Sequence, residues 1–289
     1  MKKLLIILSA ALFVLASCQK EVDFPDGSGG GTGGGSGNLL VKSVSKTGSD
    51  SIVTVYTYNA SNKLIRMKLT GMSGGFDMGN DFKYYRNASG VITHYVQINP
   101  NFVLLGIDSV TTVLHYDAAS SKYTSAVTEM SLLGFAVLDS MVFVYDANKR
   151  VIEQQSWQAI PALGSPYELT LKTKFTIAAN GNVSELNQYD PSSGTDDLIS
   201  TIKYTYDNKT SSINPTLIFL NLGEAGAINH GDWISVNNAN KVEIIDVNTP
   251  ANNRTSNVTY TYNAAGKPVS GTNTTTPGGA VDNLTYFYQ

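Results

Sequence analysis

Apolar and polar residues alternate along most of the chain from residue 52 onward, and aromatic residues recur at the ends of the apolar runs. In the first unit the alternating run Tyr56–Tyr58 leads into the turn-like segment Asn59–Asn62, and a second short apolar run follows. A period of two is the pattern of a β-strand with one buried face, and an Asn or Asp begins the turn that ends it. Each such unit predicts a β-hairpin.

The hairpin unit recurs eight times, at intervals of 26 to 32 residues. Its turn-opening positions are 59, 87, 117, 146, 178, 207, 237 and 263. Asn62, Gly90, Gly181 and Gly266 supply residues that tolerate positive φ at the exit of the turn. Such large sheets rarely stay open and flat, so we predict an all-β fold: an antiparallel meander of about 16 strands, built from eight hairpin repeats and curled into a barrel or half-barrel.

The two faces of the predicted strands differ in chemistry. Ile202, Tyr204 and Tyr206 alternate with Lys203 and Thr205, which suits one face packed inward and one face in water. The tyrosine rows could form a platform for glycan stacking, but their regular position beside every turn favours a structural role. Strands of this length could also cross a bilayer as in a porin, yet tyrosine within the strands, Lys203 opposite and the terminal Gln289 argue against a lipid-facing band.

The repeat resembles the YD-type repeats of RHS proteins. The likeness spans residues 39–289 and includes the run Tyr206–Lys209 before Asn214-Pro215, and a closing strand with Tyr286 and Tyr288. The whole chain resembles uncharacterised YD-repeat lipoproteins of Bacteroidetes. It lacks the large array and the toxin tip of RHS proteins, so the resemblance does not imply encapsulation of a cargo.

The first residues have the pattern of an export signal. The basic Met1–Lys3 precedes the apolar run Leu4–Leu15, and Leu15–Cys18 resembles the bacterial lipobox. We therefore expect residues 1–17 to be a signal peptide and Cys18 to carry acyl chains, which contribute about 0.8 kcal/mol of membrane binding per buried methylene.

A tether is expected to follow the lipidated cysteine. Gln19–Asp23 loosely resembles the acidic signal that sends Bacteroidetes lipoproteins to the cell surface, and Gly27–Gly37 is a flexible glycine-rich coil. Residues 18–38 should thus form a tether with a mean reach on the order of 25 Å. The expected location of the domain, residues 39–289, is the outer membrane, lipid-anchored and facing the exterior.

The charge balance limits the partners. Without Lys2 and Lys3 the chain carries 18 basic and 23 acidic residues, a net charge of 18 − 23 = −5. We expect no nucleic-acid partner and no electrostatic attraction to an anionic membrane surface. The single cysteine excludes an internal disulfide and thiolate metal clusters, and we predict no cofactor.

Candidate catalytic residues are sparse. His94, His115 and His230 fall in different repeats, which makes a zinc site or a catalytic triad improbable. The acidic segments Asp77–Asp81 and Asp196–Asp197 could bind calcium or act as acid and base, but they lack a calcium-loop register and are better interpreted as solvated turns.

Five further residues are candidates for modification or binding. Ser51, Ser109 and Ser140 each follow an Asp and precede an apolar residue, which resembles the O-glycosylation sequon of exported Bacteroidetes proteins. Trp157 and Trp233 lie near long predicted loops and are weak ligand candidates, although buried loop anchors are the simpler interpretation.

The leading hypothesis is a non-enzymatic, monomeric surface lipoprotein that binds a glycan or a protein ligand. Two alternatives stay open. One is a periplasm-facing carrier or assembly factor that holds an apolar ligand within the curl of the sheet. The other is a hydrolase that acts through loop carboxylates.

Overall fold

The computed structural model describes residues 39–103, 106–132, 135–212 and 234–289. Seventeen strands form one sheet, and every neighbouring pair is antiparallel. The strands are β1 Leu40–Thr47, β2 Asp50–Tyr58, β3 Leu64–Ser73, β4 Phe76–Asp77, β5 Asn80–Arg86, β6 Ile92–Ile98, β7 Val110–Asp117, β8 Lys122–Leu132, β9 Phe135–Tyr145, β10 Val151–Ala159, β11 Glu168–Ile177, β12 Val183–Asp190, β13 Asp197–Thr210, β14 Asn237–Asp246, β15 Arg254–Tyr262, β16 Pro268–Thr276 and β17 Ala280–Tyr288. A single helical turn, α1 Pro100–Val103, and two 3₁₀ turns, Pro161–Leu163 and Pro250–Asn252, lie in connections.

The sheet closes on itself. Each strand pairs with the next one along the chain, and β17 pairs with β1 from Leu40 opposite Tyr288 to Thr47 opposite Asp282. Strand β4 is a two-residue stub that pairs with β3 just before β5 does, so the wall contains sixteen full strands. The predicted antiparallel meander curled into a barrel is confirmed, and the barrel is closed.

The connections divide the barrel into two ends. One end, here called the turn end, holds the repeat turns, which begin at Asn59, Asn87, Asp117, Asp146, Ala178 and Asn263. The first and last strands of the barrel also meet at this end, where Leu39 and Gln289 exchange backbone hydrogen bonds. The opposite end, the loop end, holds the connections between β1 and β2, β3 and β5, and so on around the barrel.

One predicted turn lies elsewhere. The segment from Asn237 onward is part of strand β14 rather than a turn, and β13 runs past Asp207 to Thr210 before the connection to β14. The eighth strand pair of the barrel is formed by β17 and β1. The turn predicted at 237 is therefore wrong. Strand β14 begins with several Asn residues, which are common in turns, so its composition resembles that of a turn.

The repeat turns follow one hydrogen-bonding scheme. The Asn59 side-chain oxygen accepts the backbone N–H groups of Ser61 and Lys63, both at 3.0 Å. Asp146 accepts those of Asn148 and Arg150 at 2.8 and 2.9 Å. The predicted positive φ occurs at four positions, Asn62 (57°), Gly90 (78°), Gly181 (86°) and Gly266 (72°). The Asn or Asp side chain therefore supports the geometry of the turns that it opens, although the turn at Ala178 has the same backbone hydrogen bonds without such a side chain.

Tyrosine hydroxyls tie five of the strand pairs at the turn end to the strand before them. The donor and acceptor pairs are Tyr58 and the Leu40 carbonyl at 2.9 Å, Tyr145 and Tyr123 at 2.7 Å, Tyr206 and Val183 at 2.8 Å, Tyr260 and Ala239 at 3.0 Å, and Tyr288 and Pro268 at 2.9 Å. In the second unit Arg86 takes the tyrosine position and donates to the Leu64 carbonyl at 3.2 Å. Burial raises the pKa of Tyr145 to about 12, so its hydroxyl stays a donor at neutral pH.

The interior at the turn end is filled with apolar side chains. Phe82, Leu186 and Ile202 are 0% exposed although β5 lies far from β12 and β13 in the strand order. One core cluster draws its residues from strands β3 through β14. A round barrel of sixteen strands encloses an aqueous lumen. Complete burial of inward side chains requires opposite walls to pack against each other, so this half of the barrel has no open lumen.

The outer face of the wall is mixed, since Val55, Val113 and Val144 are exposed on it and charged residues stand in the middle of the strands. Lys203 lies directly between Glu185 and Glu243 in the register of β12, β13 and β14. The Arg66 guanidinium donates to both carboxylate oxygens of Asp81, at 2.7 and 2.6 Å. The predicted inward aromatic face is present, since Tyr204 is buried, and the outward face carries predicted polar residues such as the exposed Thr205.

Candidate functional site

The inward side chains change from apolar to polar toward the loop end. Across β6 to β10 one register line reads Tyr95, Thr112, Thr128, Asp139 and Gln158. The hydroxyls of Thr112 and Thr128 are 2.7 Å apart and both residues are buried. The line therefore leaves the aromatic core at Tyr95 and ends in polar groups, of which Asp139 and Gln158 are partly exposed.

A second polar line crosses the neighbouring part of the wall. It reads Gln154, Thr173, Gln188, Ser200 and Asp246 in strands β10 to β14. Gln154, Thr173 and Gln188 are buried, at 5%, 6% and 7% exposure. The Gln154 side-chain amide lies 2.7 Å from the Met141 sulfur, a weak acceptor. These residues form a polar layer directly above the apolar core.

A further set of inward polar residues lies on β16, β17, β1 and β2, separated from the second line by Val258 of β15. Asn273, Asp282, Thr47 and Asp50 follow one another across β16, β17, β1 and β2. Asp282 accepts hydrogen bonds from the Asn273 amide at 3.0 Å and from the Thr47 hydroxyl. We call the whole inward-facing polar lining at the loop end the polar mouth. It offers amide and hydroxyl groups with scattered carboxylates, and it also includes the buried apolar side chains of Val110 and Val137.

The loop-end carboxylates are held ionised by their neighbours. Hydrogen bonds from the Asn252 side chain and from the Thr249 and Asn248 N–H groups lower the pKa of Asp246. Hydrogen bonds from Ser193 and Thr195 lower the pKa of Asp197. A carboxyl whose pKa is lowered is a poor general acid at neutral pH.

Salt bridges and turn contacts occupy the other acidic candidates. Lys172 donates to both oxygens of Asp196, at 2.8 and 2.7 Å, and this contact lowers the pKa of Asp196. Asp77 accepts the Gly79 N–H at 2.7 Å, while Asp81 is paired with Arg66. Across the described ranges, no group of three or more His, Cys, Asp or Glu residues could hold a metal ion. These contacts occupy both acidic segments, but Asp81 lies within strand β5 of the wall rather than in the solvated turn expected from the sequence.

The histidines lie on the outer wall. His94 stacks on Tyr85, with ring centroids 4.5 Å apart and planes 5° apart, and its Nδ1 is 3.0 Å from the Thr93 hydroxyl. His115 is exposed on β7, two residues from the register partner of His94. His230 falls outside the described residues. The Thr93 hydroxyl is thus within hydrogen-bond distance of His94, but no carboxylate is shown on the ring to complete a triad among the described residues.

Trp157 lies within strand β10 rather than in a loop. Its ring stacks on Tyr167 with centroids 6.0 Å apart and planes 9° apart, on the outer face at a β-bulge. It does not face the polar mouth, because its neighbours Ser156 and Gln158 do. Trp233 and Cys18 lie outside the described residues.

The three candidate glycosylation serines differ in accessibility. Ser109 is exposed just before β7, and Ser51 is the partly exposed second residue of β2. Ser140 lies within β9 and is only 6% exposed, next to Trp157 in the register. Of the three, Ser109 offers the most room for a sugar.

Sequence reasoning did not identify the polar mouth. The repeat pattern draws attention to the aromatic positions beside each turn, whereas the mouth is built from the far halves of the same strands. A usable signal exists in the alternation of Ser43, Ser45 and Thr47 in β1, where the inward positions are small and polar. A second feature, a shallow groove of about 520 Å³, lies at the loop-end rim between Lys203, Arg254 and Pro277.

In the part of the chain that the structure describes, no helix is long and apolar enough to span a bilayer. No protein-family model matches the chain, and no curated protein matches it. Solved structures do resemble it. A porin-like protein from Bacteroides vulgatus ATCC 8482 is 12% identical, with a TM-score of 0.54, and the match covers 87% of this chain and 99% of that one. A porin-like protein from Bacteroides uniformis ATCC 8492 is 11% identical over 88% of this chain and 98% of that one, with a TM-score of 0.49. At such identities the likeness to the first of these structures shows a shared barrel fold.

Proposed function

We propose that the protein is a cell-envelope binding scaffold that takes a hydroxyl-rich ligand, a glycan above all, at the polar mouth. The observation that carries this proposal is the division of the interior into a filled apolar half and a polar mouth at the opposite end. The filled half gives rigidity, because its side chains are fully buried. The mouth places partly exposed polar groups such as Asp139, Gln158 and Ser200 beside connections that can vary without disturbing the core.

The chemistry of the mouth favours a neutral polar ligand. Amides such as Gln158 present a donor and an acceptor together, and hydroxyls such as Ser200 can act as either. Sugar hydroxyls need this mixture, whereas an anionic ligand would need a cluster of cations. A protein loop rich in polar side chains is the second partner that such a lining supports.

The contacts of the loop-end carboxylates support a role without catalysis. Asp196, Asp197 and Asp246 all have a lowered pKa and serve as hydrogen-bond acceptors in turns or salt bridges. The hydrolase alternative needs one carboxyl with a raised pKa near a second one. The likeness to the porin-like protein from Bacteroides vulgatus concerns the fold alone. A barrel fold is compatible with a binding role.

The packing of the barrel interior argues against the carrier and porin alternatives. A carrier needs an empty apolar cavity, but Phe82 and Ile202 are fully covered by the protein's own side chains. A porin needs an open lumen and an apolar outer band. The buried core closes the lumen at the turn end, and Lys203 between two glutamates is costly in contact with lipid.

The anchoring part of the proposal comes from the sequence. The lipobox-like segment ending at Cys18 and the resemblance to YD-repeat lipoproteins support a lipid-anchored location at the outer membrane, facing outward. A barrel of this kind is compatible with an envelope location. Metabolic labelling with palmitate should mark the wild-type chain but not Cys18→Ser, and protease treatment of intact cells should release the domain. Labelling of the variant, or full protection in intact cells, would contradict anchoring or outward orientation respectively.

A glycan array tests the ligand. The double variant Gln158→Ala with Ser200→Ala removes two polar groups of the mouth, and Thr259→Ala removes a hydroxyl from the outer wall as a matched control. We expect the wild type and the control to bind the same glycans and the double variant to lose at least tenfold in affinity. Equal binding by all three would refute the mouth as the binding site.

A further inference from the structure

The two ends of the barrel have opposite charge. Charged residues of the turn-end segments 59–63, 86–91, 117–122, 146–150, 178–182, 207–212 and 263–267 are mostly basic. They are Lys63, Arg86, Lys122, Lys149, Arg150, Lys209 and Lys267 against Asp117, Asp146 and Asp207, which is seven basic and three acidic side chains in the described part of this end. The repeat itself places these cations, since a Lys or Arg stands at the exit of most turns.

The loop end carries the opposite sign. Within the described parts of the connecting segments 47–50, 74–79, 99–109, 160–167, 190–197 and 246–254, seven residues are acidic and one, Arg254, is basic. The seven are Asp50, Asp77, Asp108, Asp190, Asp196, Asp197 and Asp246. The barrel is therefore charged along its axis, positive at the turn end and negative around the polar mouth.

Three cations at the turn end are exposed, whereas two of its three acids are occupied and only Asp117 is exposed. Lys63, Lys149 and Lys209 are exposed. Asp146 is occupied by backbone N–H groups and by the Arg150 guanidinium at 2.7 Å, and Asp207 accepts hydrogen bonds from Tyr262 and from the Lys209 N–H. An approaching anion therefore meets ammonium groups first.

The chain enters the barrel at this same end. Leu39 and Gln289 exchange hydrogen bonds beside the first turns, and β1 begins at Leu40. The 21 residues 18–38 thus join the basic end, and not the acidic one, to Cys18. A flexible chain of this length has a reach on the order of 25 Å, which lets the end of the barrel contact the surface that holds the anchor.

We propose that the turn end docks electrostatically on the anionic phosphate headgroups of the leaflet that holds the lipid anchor, so that the polar mouth points away from the membrane. The proposal rests on the lipid anchor of the proposed function. A lipid chain and a basic patch together form the two-signal attachment that holds peripheral proteins on membranes. The net charge of −5 by itself predicts no such attraction. That value is a sum over the whole chain, whereas the fold places an excess of positive charge at one end and of negative charge at the other.

Vesicle cosedimentation tests the basic end without the lipid. The probe protein is the mature chain from residue 18 onward with Cys18→Ser, made without its leader, so the result does not depend on acylation. Vesicles of phosphatidylcholine alone are compared with vesicles that contain about a third phosphatidylglycerol. We expect binding to the anionic vesicles only, weakening as salt shortens the Debye length.

Two triple variants with the same change in net charge locate the contact. Lys63→Gln, Lys149→Gln and Lys209→Gln remove turn-end charge, and Lys46→Gln, Lys172→Gln and Lys203→Gln remove it elsewhere. Each lysine near a membrane surface is worth roughly a fivefold change in binding, so the first set should weaken binding about a hundredfold. The second set should change it by less than about twofold, since its charges lie more than a Debye length from the contact. Circular dichroism checks that both triples keep the β fold.

Three outcomes would overturn the proposal. They are absence of binding to anionic vesicles, equal loss in the two triple variants, and patch-dependent binding to a soluble polyanion such as polygalacturonate without binding to vesicles. The last result would identify an acidic polysaccharide as the partner instead. A failure to label Cys18 with palmitate would refute the anchor separately and leave the vesicle result standing.

Discussion

The two halves of the barrel interior are made by the same strands but have opposite chemistry. Near the turns, inward positions such as Phe82 and Ile202 are fully buried and apolar. Further along the strands, inward positions such as Asp139 and Ser200 are polar and partly exposed. The repeat specifies only the first half, because each unit must pack its turn against the previous hairpin. The second half escapes this constraint, so its side chains can be adapted to a ligand.

The largest contrast between the halves should be in stability. Phe82→Ala empties a fully buried site in the apolar half and should lower the free energy of unfolding by about 3–5 kcal/mol. Ser200→Ala in the polar mouth should change it by less than about 0.5 kcal/mol. Urea denaturation followed by tryptophan fluorescence measures both. Similar costs for the two substitutions would mean that the mouth is part of the folding core.

A smaller contrast separates two tyrosines within the turn end. Tyr145→Phe leaves the buried Tyr123 carbonyl without its donor and should cost about 1 kcal/mol. Tyr84 lies three residues before the turn at Asn87, but its buried hydroxyl has no hydrogen-bond partner in the described structure, so Tyr84→Phe should be neutral or stabilising. The same denaturation assay applies. A cost for Tyr84→Phe equal to that for Tyr145→Phe would show that burial of the ring, rather than the hydrogen bond, matters at these positions.

The pH dependence of stability should also differ between the ends. Burial raises the pKa of Tyr145 and Tyr288 from 10.0 to about 12, so these groups keep their protons in the folded state while the unfolded chain loses them. Their contribution is present below pH 10 and is lost as the pH rises toward 12. Thermal melts across this range should show Tm falling, and Tyr145→Phe should make the fall shallower. A slope unchanged by the substitution would exclude Tyr145 as a source.

The loop end should respond at the opposite extreme of pH. The lowered pKa of Asp196, Asp197 and Asp246 means that their stabilising contacts are present above the ordinary value of 3.8 and are lost as the pH falls below it. Proteolysis at low pH should therefore cut within residues 190–197 and 246–253 before it reaches the repeat turns at Asn59, Asn87 and Asn263, whose amide side chains do not titrate. The turns at Asp117 and Asp146 are not part of this contrast, because hydrogen bonds from Ser120 and from the Arg150 N–H lower the pKa of these two carboxyls as well. First cleavage in an Asn-containing repeat turn would show that the acidic loops are not the weaker end.

The sequence is informative where one pattern is repeated. The turn at Asn59, the positive φ at Gly90 and the inward Tyr204 could all be predicted, because each depends on residues within one unit. Closure of the barrel by β1 and β17 could not, since it depends on pairing between residues more than two hundred positions apart, such as Thr47 and Asp282. Local alternation predicts a strand, whereas long-range pairing decides its neighbours.

The candidate site was harder to predict than the fold. The polar mouth gathers one or two residues from each strand, among them Thr112, Gln188 and Asn273, and neighbouring residues in the sequence do not identify them. Arg86 illustrates the same limit in the repeat, because it fulfils the role of a tyrosine through an unrelated side chain. The difference in charge between the two ends could not be predicted from the sequence for a similar reason. Residues of both signs alternate along the chain and separate only when the strands reverse direction.

The smallest expected effect concerns glycosylation at the loop end. If the Asp-Ser segments are modified in the native host, we expect the sugar on the exposed Ser109 and not on Ser140, which lies within β9 at 6% exposure. Ser109→Ala should remove one glycan from the intact mass and change the free energy of unfolding by less than about 0.5 kcal/mol. Ser140→Ala should leave the glycan mass unchanged. A sugar found on Ser140 would mean that modification occurs before the wall of the barrel forms, because the closed wall leaves that hydroxyl covered.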